Sequence, residues 1–74
     1  MPHETRYLVY EFSSVDLRTG SHVTHKITYP EPEDEQRKFI IYRSVIKDLG
    51  RKGYDNIVLE SIMSKDGLTY YPID

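Results

Sequence analysis

The chain has 74 residues, a net charge of −2 at neutral pH, seven tyrosines, and neither cysteine nor tryptophan. A chain this short builds one small hydrophobic core, and without cysteine no disulfide or thiolate metal site can reinforce that core. The near-balanced charge gives no general attraction to nucleic acid or anionic lipid, and no apolar run approaches the roughly 20 residues that a membrane-spanning helix needs. We therefore predict a single cytoplasmic domain with no membrane partner.

Two stretches near the N-terminus predict a β-hairpin that follows a flexible tail at 1–5. Residues 6–15 are rich in β-branched and aromatic side chains, and the larger apolar set lies at even positions, which we place against the helix. Residues 21–29 carry their apolar side chains at odd positions, and this half-polar alternation is typical of an edge strand. Asp16 and Gly20 have the spacing of a type I turn that is closed by a left-handed glycine.

The middle of the chain predicts one helix over residues 33–52. Pro32 suits the first helical turn, and the acidic residues around it favour the positive end of the helix dipole. An apolar stripe then repeats at helical spacing: Phe39, Tyr42, Val45, Ile46 and Leu49. We prefer Gly53 to Gly50 as the residue that ends the helix, because it places Leu49 against an aromatic residue in a Schellman motif.

The last part of the chain predicts a second hairpin, with strands at 56–64 and 68–71 around an Asp-Gly turn. The third strand is predicted to have Ile57, Leu59 and Met63 on its inner face and other apolar residues on its outer face, so it should be central. The polar second strand and the short fourth strand suit the edges. The predicted fold is therefore α+β, with element order β-β-α-β-β. Its four-stranded antiparallel sheet has spatial order 2-1-3-4, with one helix packed on one face, and order 1-2-3-4 is the alternative.

One helix covers one face of such a sheet, so the outer face must meet solvent, another protein or a second copy of the chain. The residues that we place on this outer face are Tyr7, Val9, Glu11, Val58, Glu60, Ile62 and Tyr70. Scattered exposed apolar residues are ordinary on a soluble protein. A contiguous apolar patch, by contrast, marks a contact site, and we predict that this face binds a partner.

The helix also predicts a secondary charged surface with two poles. The basic pole is a stripe of residues spaced four apart: Arg43, Lys47 and Arg51. The acidic pole includes Glu33 and Asp34, at the start of the predicted helix. The stripe could contact the phosphates of a nucleic acid, which we hold as the alternative function. Both poles also have a structural explanation, because each charge lies at the helix end that its sign stabilises.

No pattern predicts catalysis, a metal site or a cofactor. His22 and His25 are three apart in a predicted strand, so they should point to opposite faces. No serine lies in a Gly-x-Ser-x-Gly elbow. Glu11 and Glu60 could share a face as paired carboxylates, but two solvated carboxylates explain them as well. We therefore predict that the protein is not an enzyme.

In size and general character, rather than in any motif, the whole chain resembles the stand-alone proteins that bacteriophages and other mobile elements make to disable larger host machines, including anti-CRISPR and anti-restriction proteins. That resemblance implies an inhibitor of a host protein or complex. The hypothesis from sequence is a non-enzymatic protein-binding module that uses the outer sheet face. The alternative is a small nucleic-acid-binding protein that uses the basic helix stripe.

Overall fold

The computed structural model describes residues 6–71. Its elements are β1 (Tyr7–Asp16), β2 (His22–Pro30), α1 (Glu35–Arg51), β3 (Tyr54–Ser64) and β4 (Tyr70–Tyr71). The strands form one antiparallel sheet in the order β2-β1-β3-β4. This confirms the predicted α+β fold and the predicted strand order. The flexible tail predicted at 1–5 lies outside the described residues.

The hairpin of β1 and β2 forms as its turn residues predict. Strand pairing is continuous from Tyr7 opposite Pro30 to Val15 opposite His22. In the turn, a carboxylate oxygen of Asp16 accepts the N–H of the residue two positions later at 2.9 Å, and this hydrogen bond holds the pKa of Asp16 below its usual value. Gly20 closes the turn with φ +75° and donates its N–H to the carbonyl of Asp16 at 2.7 Å.

Helix α1 begins two residues later than predicted and ends one residue earlier, at Arg51, with Lys52 as its C-cap and Gly53 as the predicted left-handed residue that follows. Asp34 is its N-cap, with extended backbone (φ −154°) and a side chain that accepts the N–H of Arg37 at 2.8 Å. Because an N-cap residue is not itself helical, Pro32 precedes the helix rather than starting it. At the other end Gly53 has φ +95° and donates its N–H to the carbonyl of Gly50 at 3.2 Å, which is one of the two hydrogen bonds of a Schellman motif.

The core lies between α1 and the sheet. Its buried hydrophobic side chains are Leu8, Tyr10, Phe12, Val45, Leu49 and Ile62. The even positions of β1 thus face the helix, as predicted, and the stacked rings of Phe12 and Tyr42, 6.1 Å apart, join the sheet to α1. Each fully buried side chain of this kind contributes about 1.5 to 3 kcal/mol relative to an exposed one.

Phe39 is an exception to the predicted helix stripe, because 57% of it is exposed. At about 100° per residue, Phe39 lies roughly 120° around the helix axis from the buried Val45, beyond the edge of the core-facing stripe. Ile41 and Tyr42 pack on the core instead. The ring of Phe39 rests beside Tyr42, with 6.4 Å between centroids, and is left for surface contacts.

Strand β3 departs from regular alternation, which overturns the predicted position of Ile62. Glu11 pairs with Ser61 but the next residue of β1 pairs with Leu59, so Glu60 is an extra residue in β3. Such a β-bulge places two residues opposite one and reverses the inward and outward positions beyond it. Ile62, predicted on the outer face, therefore pairs with Tyr10 and is 1% exposed.

The same bulge moves Met63 from the predicted inner face to the outer face, where it pairs with Val9. A second register shift lies between the partners of Ser13 and Val15, next to Asn56, which has φ +51°. A non-glycine residue with positive φ is uncommon, and asparagine is among the residues that tolerate it best. Strand β3 is thus the irregular central strand of the sheet.

Candidate functional site

The outer face of the sheet, opposite α1, is the candidate site. Apart from Ile62, the structure places there all the residues that were predicted for it: Tyr7, Val9, Glu11, Val58, Glu60 and Tyr70. Directly opposed residues in antiparallel strands point to one face, which gives these assignments from the register, except that Glu60 is placed by its hydrogen bond with Ser13. The face has two parts, an apolar end and a polar band.

The apolar end is built across three strands. Met63 of β3 pairs with Val9 on one side and with Tyr70 on the other, and Tyr7 lies two residues before Val9 on the same face. We call these four residues the outer apolar cluster. Tyr7 is 43% exposed and Tyr70 is 69% exposed. The ammonium group of Lys65 lies 5.6 Å from the centroid of the Tyr7 ring, so a cation borders the cluster.

The polar band crosses the middle of the outer face. The hydroxyl of Ser61 donates to Glu11 at 3.5 Å, and the hydroxyl of Ser13 donates to Glu60 at 2.7 Å. Each carboxylate is therefore engaged by a serine of the adjacent strand, an arrangement that orients it without requiring catalysis. The band separates the outer apolar cluster from Val58, which is 50% exposed.

The inner face holds a serine and histidine pair that the sequence patterns did not reveal. The Oγ of Ser14 lies 2.7 Å from the Nε2 of His25, within the range for a nucleophile and its base. Ser14 is only 2% exposed, so a substrate cannot reach its hydroxyl. The hairpin register could have predicted this pair from the sequence. Once the turn fixes which residues of β1 and β2 pair, Ser14 and His25 become diagonal neighbours on one face.

A cleft of about 290 Å³ opens between α1 and β3. Its lining residues are Tyr10, Glu35, Lys38, Phe39, Tyr42, Val58 and Leu59. The hydroxyl of Tyr10 is buried and has no hydrogen-bond partner among residues 6–71. Burial, and secondarily the charge of Tyr29, raises the pKa of Tyr10 above its usual value of 10.0. The sequence patterns did not indicate this cleft because they placed Phe39 in the core.

The charged helix residues are exposed where they were predicted. Arg43, Lys47 and Arg51 all lie on the solvent side of α1, and the guanidinium carbon of Arg43 is 5.9 Å from the centroid of the Phe39 ring. Glu33 and Asp34 are exposed at the opposite end of the helix. Asp34 already serves as the N-cap, so part of this charged surface stabilises the helix itself.

The two histidines of β2 point to opposite faces, as their spacing predicted. His22 pairs with Val15 on the outer side and His25 pairs with Phe12 on the helix side. Within residues 6–71, no group of three or more His, Cys, Asp and Glu side chains is arranged to hold a metal ion. Over the same residues, no helix has the length and apolar character to cross a membrane.

No family model, curated protein or solved structure matches the chain. The functional proposal rests on the geometry of the described residues.

Proposed function

We propose that the protein is a non-enzymatic module that binds another protein through the outer apolar cluster. The observation that carries this proposal is the exposure of two tyrosines, 43% for Tyr7 and 69% for Tyr70, beside Val9 and Met63 on adjoining strands. Exposed tyrosines combine a large apolar surface with a hydroxyl that tolerates water, and they are enriched at binding interfaces. The helix leaves this face of the sheet uncovered.

The outer apolar cluster and the polar residues around it are arranged like a small protein–protein interface. Aromatic anchors lie at one end, while Lys65 and the serine-bound carboxylates of Glu11 and Glu60 provide a polar rim. Interface energy is concentrated in a few central aromatic residues, and polar rims mainly set orientation. We therefore expect Tyr7 and Tyr70 to carry most of the binding energy.

The size and general character of the chain favour a more particular proposal, that the protein inhibits a larger protein or complex. The non-enzymatic part rests on the burial of Ser14 and on the serine partners of Glu11 and Glu60, which give these groups structural roles. A second copy of the chain is the other partner that this face would fit.

The test compares two variants in affinity purification from the source organism followed by mass spectrometry. Tyr7→Asp combined with Tyr70→Asp places charge in the cluster without touching a fully buried side chain. Leu17→Asp is the matched control, because Leu17 is 64% exposed in the turn at the far end of β1. We expect the double variant to lose the captured protein and the control to keep it, with both giving native circular dichroism.

Light scattering on the pure protein separates the two kinds of partner. A monomer that captures another protein supports the proposal, whereas a dimer dispersed by the double variant identifies a second copy as the occupant. Capture by a folded double variant at wild-type level would show that the outer apolar cluster is not the binding site.

A further inference from the structure

The free edge of β2 presents a regular row of backbone hydrogen-bonding groups. Asp16 donates its N–H to the carbonyl of Ser21 at 2.9 Å, and Glu31 donates to the carbonyl of Arg6 at 2.7 Å. In an antiparallel ladder, hydrogen-bonded pairs alternate with non-hydrogen-bonded pairs, so even residues of β1 bond to odd residues of β2. The N–H and C=O groups of His22, Thr24, Lys26 and Thr28 therefore point outward, away from the sheet, and Pro30, which has no N–H, ends the row of donors.

This edge differs from the other open edge of the sheet. Pairing of β2 with β1 is continuous over the whole strand, with no register shift. On β3, by contrast, β4 covers only Ile62 and Met63, and register shifts lie at Glu60 and beside Asn56. Bulges, lysines and prolines all discourage pairing at an exposed edge, and β2 carries Lys26 and a terminal Pro30 but no bulge. The edge of β2 is thus the better template for an added strand.

The side chains of β2 indicate what an added strand would carry. On the helix side, Ile27 and Tyr29 are only partly buried, because α1 lies against β3 and its backbone does not approach β2. On the outer side, Lys26 is exposed and lies opposite Glu11 of β1, but it forms no salt bridge with Glu11 or with any other residue of the range 6–71. A strand with apolar residues on one side and a carboxylate on the other complements both features.

We propose that the edge of β2 binds an extended segment of another protein in which acidic and apolar residues alternate. The segment adds a fifth strand, hydrogen-bonded to the outward groups of Thr24, Lys26 and Thr28. Charge argues against a second copy, since the antiparallel self-pairings that use nearly the whole of β2 put the two Lys26 side chains opposite each other or about 7 to 8 Å apart diagonally. This site is separate from the outer apolar cluster and does not depend on it.

The test uses a capped peptide of alternating valine and glutamate, with a valine and lysine peptide as its charge control. Nuclear magnetic resonance titration on the intact protein should move the amide signals of Thr24, Lys26 and Thr28 most. Peptide residues that lie opposite Thr24, Lys26 and Thr28 point to the outer face of the sheet, and the glutamates of the peptide should take these places. We expect the glutamate peptide to bind about fivefold tighter than the lysine peptide, and Lys26→Glu to reverse that order.

A backbone variant supplies an independent readout. Thr24→Pro removes an outward N–H that β1 does not use, so the fold should survive and peptide binding should be lost, whereas Thr24→Val should bind normally. Should Thr24→Pro fail to fold, the reversal of preference in Lys26→Glu still decides the question. Equal binding of the two peptides, signal changes confined to β3, or a dimer in light scattering that needs the β2 edge would each overturn the proposal.

Discussion

The Oγ of Ser14 lies 2.7 Å from the Nε2 of His25, while the ring of Tyr54 packs edge-on against the same imidazole with 4.7 Å between centroids. The hydroxyl and the aromatic ring fix the orientation of His25 on the covered face of the sheet. The contact with Tyr54 links this pair to the start of β3, so we expect its role to be structural.

Removing the hydroxyl of Ser14 should destabilise the protein. Ser14→Ala leaves the partly buried ring nitrogen of His25 without its partner, and an unsatisfied group of this kind costs about 1 to 3 kcal/mol. Ser13→Ala is the matched control, because Ser13 bonds the exposed Glu60 on the outer face and should cost no more than about 0.5 kcal/mol. Urea unfolding measures both variants, and equal losses would contradict the structural role.

Because of the bulge at Glu60, substitutions of the neighbouring residues Ile62 and Met63 should differ in their cost to stability. Ile62→Ala should cost about 2 to 5 kcal/mol, because Ile62 is buried against Tyr10, whereas Met63→Ala should cost less than about 1 kcal/mol. Regular alternation through β3 predicts the opposite order. Chemical denaturation of the two variants therefore distinguishes the bulged register from the regular one.

The two glycines near the end of α1 should respond in opposite directions to the same substitution. Gly53→Ala forces a side chain into a backbone with φ +95° and should cost about 1 to 2 kcal/mol. Gly50→Ala lies within the helix and should stabilise by up to about 1 kcal/mol. Neither added methyl group meets another atom within 4 Å, so thermal unfolding of the pair reports backbone conformation alone.

Tyr10→Phe should be neutral or stabilising by about 1 kcal/mol at pH 7, because it removes a buried hydroxyl that has no partner among residues 6–71. Burial raises the pKa of Tyr10 in the folded state, so the unfolded chain loses this proton first. Wild-type stability should therefore fall as pH rises above 10.0, the pKa of an unperturbed tyrosine. Tyr10→Phe should weaken this alkaline loss.

The basic stripe on α1 should not hold nucleic acid. With a net charge of −2, the protein should leave the anisotropy of a short labelled DNA or RNA unchanged at about 50 mM salt. Binding that weakens steeply with salt, and that Lys47→Glu removes while Lys65→Glu does not, would instead support the nucleic-acid alternative.

Sequence patterns were sufficient to predict the fold where one face of a helix or strand is clearly polar, or where a glycine has to adopt positive φ. The alternation in β2, the turn at Gly20 and the helix end at Gly53 were all predicted and are present. They were insufficient in β3, which has apolar residues on both faces, so its alternation did not show that Glu60 is an extra residue in the strand. The position of Ile62 was wrong for that reason.

The face of the sheet that forms the candidate site was predicted correctly, but two of its residues were not. Tyr7, Val9 and Tyr70 were placed correctly because their strands are regular, but Met63 was missed because it lies beyond the bulge at Glu60. The exposure of Phe39 was also missed, since helical spacing identifies a stripe and not its edges. Both errors concern which side of an element a residue faces, and only the packed structure determines that.

The central position of β1 has a consequence for how the chain assembles. Tyr10 pairs with Ile27 in the same hairpin, but its other neighbour, Ile62, lies beyond the whole of α1 in the sequence. Closing a longer loop costs more entropy, so we expect the first hairpin to form before β3 docks. Until then the inner side of β1 has no cover. Slow synthesis or mutation of α1 would prolong that interval and favour aggregation through the apolar residues that later become the core.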